Sequence, residues 1–254
     1  MESLIKFKNK IKQKKCVIGS FMKTTDPAYI EIAGYAGYDF VIIDLEHGPS
    51  SIENAQNLVR AAQISGVVPI IRTQDNSEIA IQKALDIGAM GIQPPQINNA
   101  EQAKQAVRAA KYAPNGVRGV CRFVRASKYS SQDRDEYFKA ANENLVILQL
   151  EGKSAIDNID EILKVDGVDI YFIGPYDLSA SLGVIGQVDH PEVHKAMKEI
   201  IAKASKRGIA VGTFVDKPDS VAMWCDAGVQ YIAYSNDTGI FLDACAAIAK
   251  LIKD

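Results

Sequence analysis

Residues 145–183 read LVILQLEGKSAIDNIDEILKVDGVDIYFIGPYDLSASLG and contain two apolar runs, each followed by an acidic residue. The first run, residues 145–151, is almost wholly apolar, which is typical of a strand buried on both faces of a parallel sheet. The second run covers residues 168–174, and the stretch between the two carries isoleucine and leucine at helical spacing. We therefore interpret this segment as a strand, a helix and a second, parallel strand.

The same unit recurs along the whole chain. Strand-like runs alternate with helical stretches, and many runs follow a glycine that ends the preceding helix. The eight runs are residues 16–21, 40–44, 68–72, 90–94, 145–151, 168–173, 210–214 and 231–235. Eight βα units predict a protein of the α/β class, a (β/α)8 TIM barrel that forms one domain over residues 1–254.

Composition narrows the class of protein. The 254 residues are 47% hydrophobic, enough for a large core, and 29 basic residues against 31 acidic ones leave a net charge of −2. With so small a net charge, the protein has no overall electrostatic field that would attract nucleic acid or an anionic membrane. The basic residues 6–15 are interrupted by apolar ones, which predicts an amphipathic lid helix with solvated lysines. Without a signal peptide or a membrane-spanning run, we expect a cytoplasmic protein.

The four cysteines are dispersed, with no CxxC pair. Such spacing indicates reduced thiols more than a disulfide framework or a zinc site.

Two acids, Glu151 and Asp177, directly follow neighbouring strands. The C-terminal strand ends of a parallel barrel form its working face, so two carboxylates there are suited to one hard cation with room for substrate oxygens. Gln149 lies on the same strand face as Glu151, because side chains alternate along a strand. Helix capping by Asp177 or Ser179 is the alternative. The matching placement of the two acids favours a metal site.

Further polar residues follow the second and third strands. His47 stands where a general base is needed, and Asp44, three residues earlier, is suited to orient its ring. A polar surface histidine is the alternative. Arg72 ends an apolar strand, and such a cation requires an anion. The options for Arg72 are a catalytic role and a structural ion pair with Asp44 or Glu46.

Residues 96–144 form a connection much longer than the others, and long loops in compact domains are usually functional. This loop concentrates positive charge that is suited to clamp an anionic substrate or to bridge to another subunit, with simple solvated charge as the alternative. Its basic residues are Arg118, Arg122, Arg125 and Lys128. The last helix begins near Asp237 and carries an apolar stripe that docks on its own barrel or on another subunit's.

Four motifs carry a resemblance to a known family. They are D-x-E-H-x-P at residues 44–49, the strand-end Arg72, Y-x-P-x-G-x-R-G-V at residues 112–120, and the paired Q-[IL]-E and G-P-x-D-L-[SA] blocks at residues 149–151 and 174–179. In this order they resemble the HpcH/HpaI aldolases, metal-dependent class II pyruvate aldolases that include 2-dehydro-3-deoxyglucarate aldolase and 4-hydroxy-2-oxoheptanedioate aldolase. The resemblance implies a TIM barrel whose C-terminal helix is exchanged between subunits of a hexamer, a trimer of dimers.

The resemblance also implies roles for residues. Glu151 and Asp177 would ligate a divalent metal, Mg²⁺ or Mn²⁺ and otherwise Co²⁺ or Zn²⁺, which chelates pyruvate. His47 with Asp44 would move the proton through water, and Arg72 would stabilise the enolate. The implied substrate-binding residues are Arg72, Gln149, Gly174, Pro175, Leu178 and Ser179, with backbone amides near Leu178 receiving the carboxylate. No nucleotide cofactor is implied, and the partners are a small oxoacid and an aldehyde.

The chain departs from the family pattern at two places. After Arg72, the arginine that ends strand three, many relatives have a proline, whereas this chain has Thr73. It also has larger residues, 121–123, after the R-G-V motif. We expect that loop to line the aldehyde end of the pocket, with Arg122 or Arg125 binding an anionic or polyhydroxylated acceptor.

The sequence leaves other chemistries open. A Schiff-base aldolase would need a desolvated lysine at a strand end. Lys23 and Lys153 are nearest, and we interpret both as solvated, so no Schiff base is expected. A CoA-ester lyase of the citrate lyase β-subunit type and a non-catalytic oxoacid- or metal-binding barrel are the remaining alternatives. A phosphosugar isomerase is disfavoured, because strands seven and eight lack a glycine-rich phosphate cup.

Overall fold

A computed structural model describes residues 2–251 and contains the predicted (β/α)8 barrel. Eight parallel strands pair in sequence order, and the eighth closes on the first. The strands are β1 (Val17–Met22), β2 (Phe40–Asp44), β3 (Val68–Arg72), β4 (Gly91–Ile92), β5 (Leu145–Leu150), β6 (Ile170–Ile173), β7 (Ala210–Val215) and β8 (Tyr231–Asn236).

Helices connect the strands and cover the outside of the barrel. They are α1 (Glu2–Lys12), α2 (Pro27–Tyr35), α3 (Ile52–Ser65), α4 (Glu78–Asp86), α5 (Ala100–Ala110), α6 (Arg134–Ala141), α7 (Lys153–Asp157), α8 (Ile159–Ile162), α9 (Pro175–Ser181), α10 (Pro191–Lys206), α11 (Pro218–Asp226) and α12 (Asp237–Lys250). None of these helices has the length and apolar content needed to cross a bilayer.

The strand bounds differ from the predicted ones mainly at β4. This strand has two residues instead of the predicted 90–94, since Pro94 lacks the amide hydrogen that would extend the ladder. The bounds of β2 and β3 agree with the sequence prediction. At β5 the strand ends at Leu150, which leaves Glu151 as the first residue of the following loop.

The core has two layers, one inside the barrel and one between the strands and the helices. The predicted amphipathic helix is α1, and it closes the N-terminal end of the barrel. Its Leu4 and Phe7 are 2% exposed, and the Phe7 ring packs edge-on against Phe40 and Tyr231. The helix is therefore a plug at one end, which leaves the C-terminal strand ends open for a site.

The cysteines correct one sequence prediction. Cys16, just before β1, and Cys225, in α11, form a disulfide, so the expectation of four reduced thiols is wrong for this pair. The two residues are 209 positions apart, and the packing of α11 beside the strands where the barrel closes brings them together. Cys121 and Cys245 are free and exposed.

Candidate active site

The C-terminal ends of the strands surround a cavity of 160 Å³, called here the rim cavity. Glu151 follows β5, and Asp177 lies in the first turn of α9 after β6. On the other side of the barrel Lys23 follows β1 and Arg72 ends β3. The cavity therefore has an acidic side and a cationic side. Its apolar wall is formed by Phe21, Phe172 and Phe214.

Glu151 is a buried carboxylate held by two hydrogen bonds. Its side chain is 6% exposed, Oε1 accepts the backbone N–H of Gln96 at 2.8 Å, and Oε2 accepts the amide of Gln149 at 2.6 Å. Burial raises the pKa of Glu151 to about 7; the Gln149 hydrogen bond opposes the rise, and the charges of Glu46 and Asp177 add to it. In the part of the chain that the structure describes, no cation pairs with this acid.

Gly174 allows the acidic side to be this compact. A Cβ built at Gly174 would lie 2.9 Å from Glu151 Oε2, so only glycine permits the backbone to approach the carboxylate this closely. Gly174 is also the N-cap of α9, and Pro175 is its first residue. The capping alternative for Asp177 is therefore wrong, since its carboxylate is exposed within the first turn and lines the cavity.

Two predicted substrate contacts do not reach the rim cavity. The N–H of Leu178 itself donates to the carbonyl of Gly174 at 3.0 Å, so it is not free to receive a carboxylate; binding by the other amides near Leu178 stays a prediction. Ser179 is fully buried, donates to the carbonyl of Tyr176 and accepts the N–H of Gly186. Both residues stabilise α9, whereas Gly174 and Pro175 line the cavity. Substrate binding by these two residues stays a prediction.

Arg72 is held by two acids from the end of β2. Its Nε and Nη2 donate to the two carboxylate oxygens of Asp44 at 2.9 and 2.6 Å, and Nη1 lies 3.0 Å from Glu46 Oε2. The guanidinium also stacks 4.6 Å from the centre of the Phe21 ring. The two ion pairs predicted as options for Arg72, with Asp44 and with Glu46, are both present. Arg72 also lines the cavity, and because a guanidinium has five N–H donors, these pairs do not use all of them.

His47 is placed differently from the prediction. Asp44 accepts the backbone N–H groups of Glu46 and His47, both at 3.1 Å, and it does not orient the imidazole. The ring is 57% exposed, and its Nε2 lies 3.9 Å from Glu46 Oε2. The prediction that Asp44 fixes the tautomer of His47 is wrong, because the Asp44 carboxylate is bound to Arg72 and to the two backbone N–H groups of the turn. Glu46 is the acid near the ring.

The long loop does not serve the rim cavity of its own barrel. Arg125 donates to the carbonyl of Ile87 and to Gln63, both at the N-terminal end of the barrel, where it lines a separate cavity of 820 Å³. Arg122 donates to the carbonyl of Gln132. The expectation that these arginines lie beside the same chain's acceptor site is wrong, because the loop runs to the opposite barrel end. A bridge to another subunit stays a prediction.

Three contributors to the site were missed from the sequence. Lys23 was interpreted as solvated, yet it lines the cavity with its Nζ 3.6 Å from Asp44 Oδ2. Gln93 is fully buried and donates to Gln149 at 2.7 Å, which orients the amide that binds Glu151. Glu46 was considered only as an ion-pair partner. A usable signal existed for Gln93, a polar residue within an apolar strand run.

The rim suits a divalent cation. Four acids face two bases there; the acids are Asp44, Glu46, Glu151 and Asp177, and the bases are Lys23 and Arg72. Within residues 2–251, no three or more His, Cys, Asp or Glu side chains are arranged to enclose a metal. Two carboxylates plus substrate and water oxygens are sufficient for Mg²⁺. The donor set of Glu151 and Asp177 fits such an ion.

A closed parallel barrel with opposed acidic and cationic residues at its C-terminal rim belongs to the class of (β/α)8-barrel enzymes. The family HpcH/HpaI aldolase/citrate lyase matches residues 17–244. The chain belongs to this family, and it is a lyase of the aldolase type.

Relatives agree with this assignment. A 5-keto-4-deoxy-D-glucarate aldolase from Shigella boydii is 34% identical over all of both chains. The crystal structure of an HpcH/HpaI aldolase from Desulfitobacterium hafniense is 31% identical, with a TM-score of 0.91 over 97% of this chain and 96% of that one. The citrate synthase SbnG is 30% identical, with a TM-score of 0.85 over 96% of both chains. The proteins similar to this chain thus carry the names of different reactions.

Proposed function

We propose that this aldolase cleaves a 4-hydroxy-2-oxo acid reversibly to pyruvate and an aldehyde in the rim cavity, with a divalent metal held by Glu151 and Asp177. The observation that carries the proposal is the cavity itself, with these two acids on one side and Arg72 on the other. The name of the relative from Shigella boydii supports a sugar-derived oxoacid as substrate.

The chemistry requires stabilisation of negative charge on the keto oxygen of pyruvate. When bound, a divalent cation supplies that stabilisation as a Lewis acid. Arg72 adds a second positive centre, and its fixed pairing with Asp44 and Glu46 means that it need not reorganise during the reaction. Arg72 is therefore proposed to face the keto oxygen and to hold the enolate.

Proton transfer is assigned to His47, with Glu46 beside it. In the cleavage direction a base takes the proton of the C4 hydroxyl, the C3–C4 bond breaks, and the enolate is then protonated. The imidazole is exposed and is proposed to exchange the proton through water, with Glu46 Oε2 3.9 Å from its Nε2. Burial raises the pKa of Glu46, while the charge of Arg72 opposes the rise, so this acid is also suited to exchange a proton.

The test is aldol addition of pyruvate to a panel of aldehydes, with protein that has been treated with EDTA and then reloaded with Mg²⁺, Mn²⁺, Co²⁺ or Zn²⁺. We expect activity to be lost in EDTA and restored by at least one of these ions. Glu151→Gln should remove activity in every metal, whereas Glu161→Gln on α8 should retain it, since Glu161 is an exposed residue paired with Lys164. Full activity of the wild type in EDTA would contradict the proposed metal dependence.

The relative named citrate synthase supports a second candidate, in which the same rim acts on a citrate-type substrate or a CoA ester. Turnover of malyl-CoA or citramalyl-CoA, without aldol addition to any aldehyde, would favour this candidate. Location in the cytoplasm and assembly into a homohexamer remain parts of the proposal that the resemblance supports.

A further inference from the structure

Lys23 is a cation at the site that the proposed mechanism does not use. It directly follows β1, lines the rim cavity, and its side chain is 31% exposed. Its Nζ lies 3.6 Å from Asp44 Oδ2, which is ion-pair range but longer than a hydrogen bond. Within residues 2–251 no other acid lies in ion-pair range of this ammonium. Its three N–H donors are therefore available to a ligand.

The backbone that carries Lys23 is fixed by Asp237, the first residue of α12. Asp237 is 5% exposed and accepts the N–H of Lys23 at 3.0 Å and that of Thr24 at 2.8 Å. It also accepts the hydroxyl of Thr24 at 2.7 Å. The start of α12 thus anchors the loop after β1, which keeps Lys23 at the cavity instead of in solvent.

Lys23 and Arg72 differ in how much of their hydrogen-bonding capacity is already used. Asp44 accepts hydrogen bonds from two nitrogens of Arg72, and Glu46 lies in ion-pair range of the third, which fixes the guanidinium beside the cavity. The acidic side, with its proposed cation, serves the pyruvate half. Lys23 is in ion-pair range of Asp44 but not hydrogen-bonded to it, so its N–H donors remain for the other half of the substrate. A carboxylate is the group that satisfies an ammonium best in a partly buried place.

We propose that Lys23 determines specificity by binding a carboxylate on the aldehyde half of the substrate. The inference rests on the proposed pyruvate aldolase function and names its acceptor class, an aldehyde that bears a negatively charged end. Lys23 thus takes the acceptor-binding role that the sequence predicted for Arg122 or Arg125, since both arginines lie away from this cavity.

The experiment compares two acceptors of the same chain length, succinic semialdehyde and butanal, with pyruvate as donor. We expect wild type to prefer succinic semialdehyde. Lys23→Met and Lys23→Gln should lower the ratio of the two kcat/KM values by at least about tenfold, mainly through KM, because a charge-assisted contact is lost. Lys23→Arg should restore most of the ratio. The matched control is Lys153→Met, since Lys153 is 65% exposed, pairs with Asp157 and should keep the wild-type ratio.

A second measurement separates this inference from the proposed function. Exchange of the pyruvate methyl protons in D₂O, followed by NMR without any aldehyde, reports enolate formation alone. Absence of exchange in metal-loaded wild type would overturn the proposed function. Exchange together with an unchanged acceptor ratio in both neutral Lys23 variants, or with no wild-type preference, would overturn the inference about Lys23. Trapping of pyruvate on Lys23 by borohydride would also overturn it, because the lysine would then be a nucleophile.

Discussion

Asp44 shows how much one carboxylate at the end of a strand can organise. It binds two nitrogens of Arg72 and two backbone N–H groups of the turn that carries Glu46 and His47. Burial works to raise its pKa, but the hydrogen bonds and charge of Arg72 hold the pKa of Asp44 below its ordinary value. Asp44 therefore stays ionised, and its main effect is to fix the guanidinium and the turn.

Glu151 behaves in the opposite way, since none of the cations among residues 2–251 forms an ion pair with it. Its pKa of about 7 exceeds the ordinary value of 4.5 because of burial. Between these two values the folded protein keeps a proton that the unfolded chain releases, so stability falls as pH rises. A divalent cation at the site competes with this proton, which makes metal binding weaker below neutral pH.

The first prediction concerns the stability of metal-free protein. From pH 5 to pH 8 in EDTA, ionisation of Glu151 should lower the free energy of unfolding by on the order of 3 kcal/mol. Glu151→Gln should lack this contribution, because the neutral amide does not titrate. Urea unfolding at several pH values measures the difference, with Glu161→Gln as control. The same pH slope in wild type and Glu151→Gln would contradict the prediction.

At the scale of elements, the two ends of the barrel are divided between stability and chemistry. Helix α1 fills the N-terminal end with Leu4 and Phe7, while the C-terminal end stays open around the rim cavity. The loops after β1, β5 and β6 carry Lys23, Glu151 and Asp177. Parallel strands present all their C-terminal ends on one face, so residues far apart in sequence meet there.

This division gives a prediction for α1. Phe7→Ala should cost about 3–5 kcal/mol of unfolding free energy, since a buried aromatic side chain in edge-on contact with Phe40 and Tyr231 is lost. The matched control is Ile5→Ala on the same helix, where the side chain is 56% exposed and the cost should stay below about 1 kcal/mol. Urea unfolding measures both. Equal costs for the two variants would show that α1 is not a plug.

At the scale of the whole molecule, α12 is the element least covered by its own chain. Phe241 packs edge-on to Tyr29, but Phe241, Leu242, Ile248 and Leu251 remain 57–79% exposed. Contiguous exposed apolar side chains of this kind usually mark an interaction surface. Docking of the described part of the stripe on the chain's own barrel is therefore wrong, and the stripe's last residue, Ile252, lies outside the described residues. Coverage by another subunit remains the proposal, as the resemblance to hexameric aldolases implies.

A mass measurement tests this proposal. We expect light scattering to give a multiple of the 27.6 kDa chain mass, with six copies as the multiple that the resemblance implies. Leu242→Asp combined with Ile248→Asp should lower the mass, because a buried charge opposes association. Ile185→Asp, a change of an exposed apolar residue away from α12, is the control and should keep the wild-type mass. A monomeric wild type would contradict the proposal.

Much of the fold follows from local patterns. The apolar runs and the glycines that end helices predict eight strands, and the bounds of β2 and β3 agree with that prediction. The convergence of Glu151, Asp177 and Arg72 on one rim also follows, because strand order and direction determine which end each residue occupies. Sequence patterns predict less where a loop has no hydrophobic period, as in the connection between α5 and α6.

The amino-acid sequence by itself determined the barrel, the face that bears the site and the chemical character of that face. Only the tertiary structure decided the partner of each polar side chain: Asp44 binds Arg72 and not the His47 ring, Lys23 reaches the cavity, and Arg125 lies at the far end. The reason is physical. Periodicity is a property of neighbours in the chain, whereas hydrogen bonds and ion pairs depend on distances of a few ångströms between segments that meet only when the barrel closes.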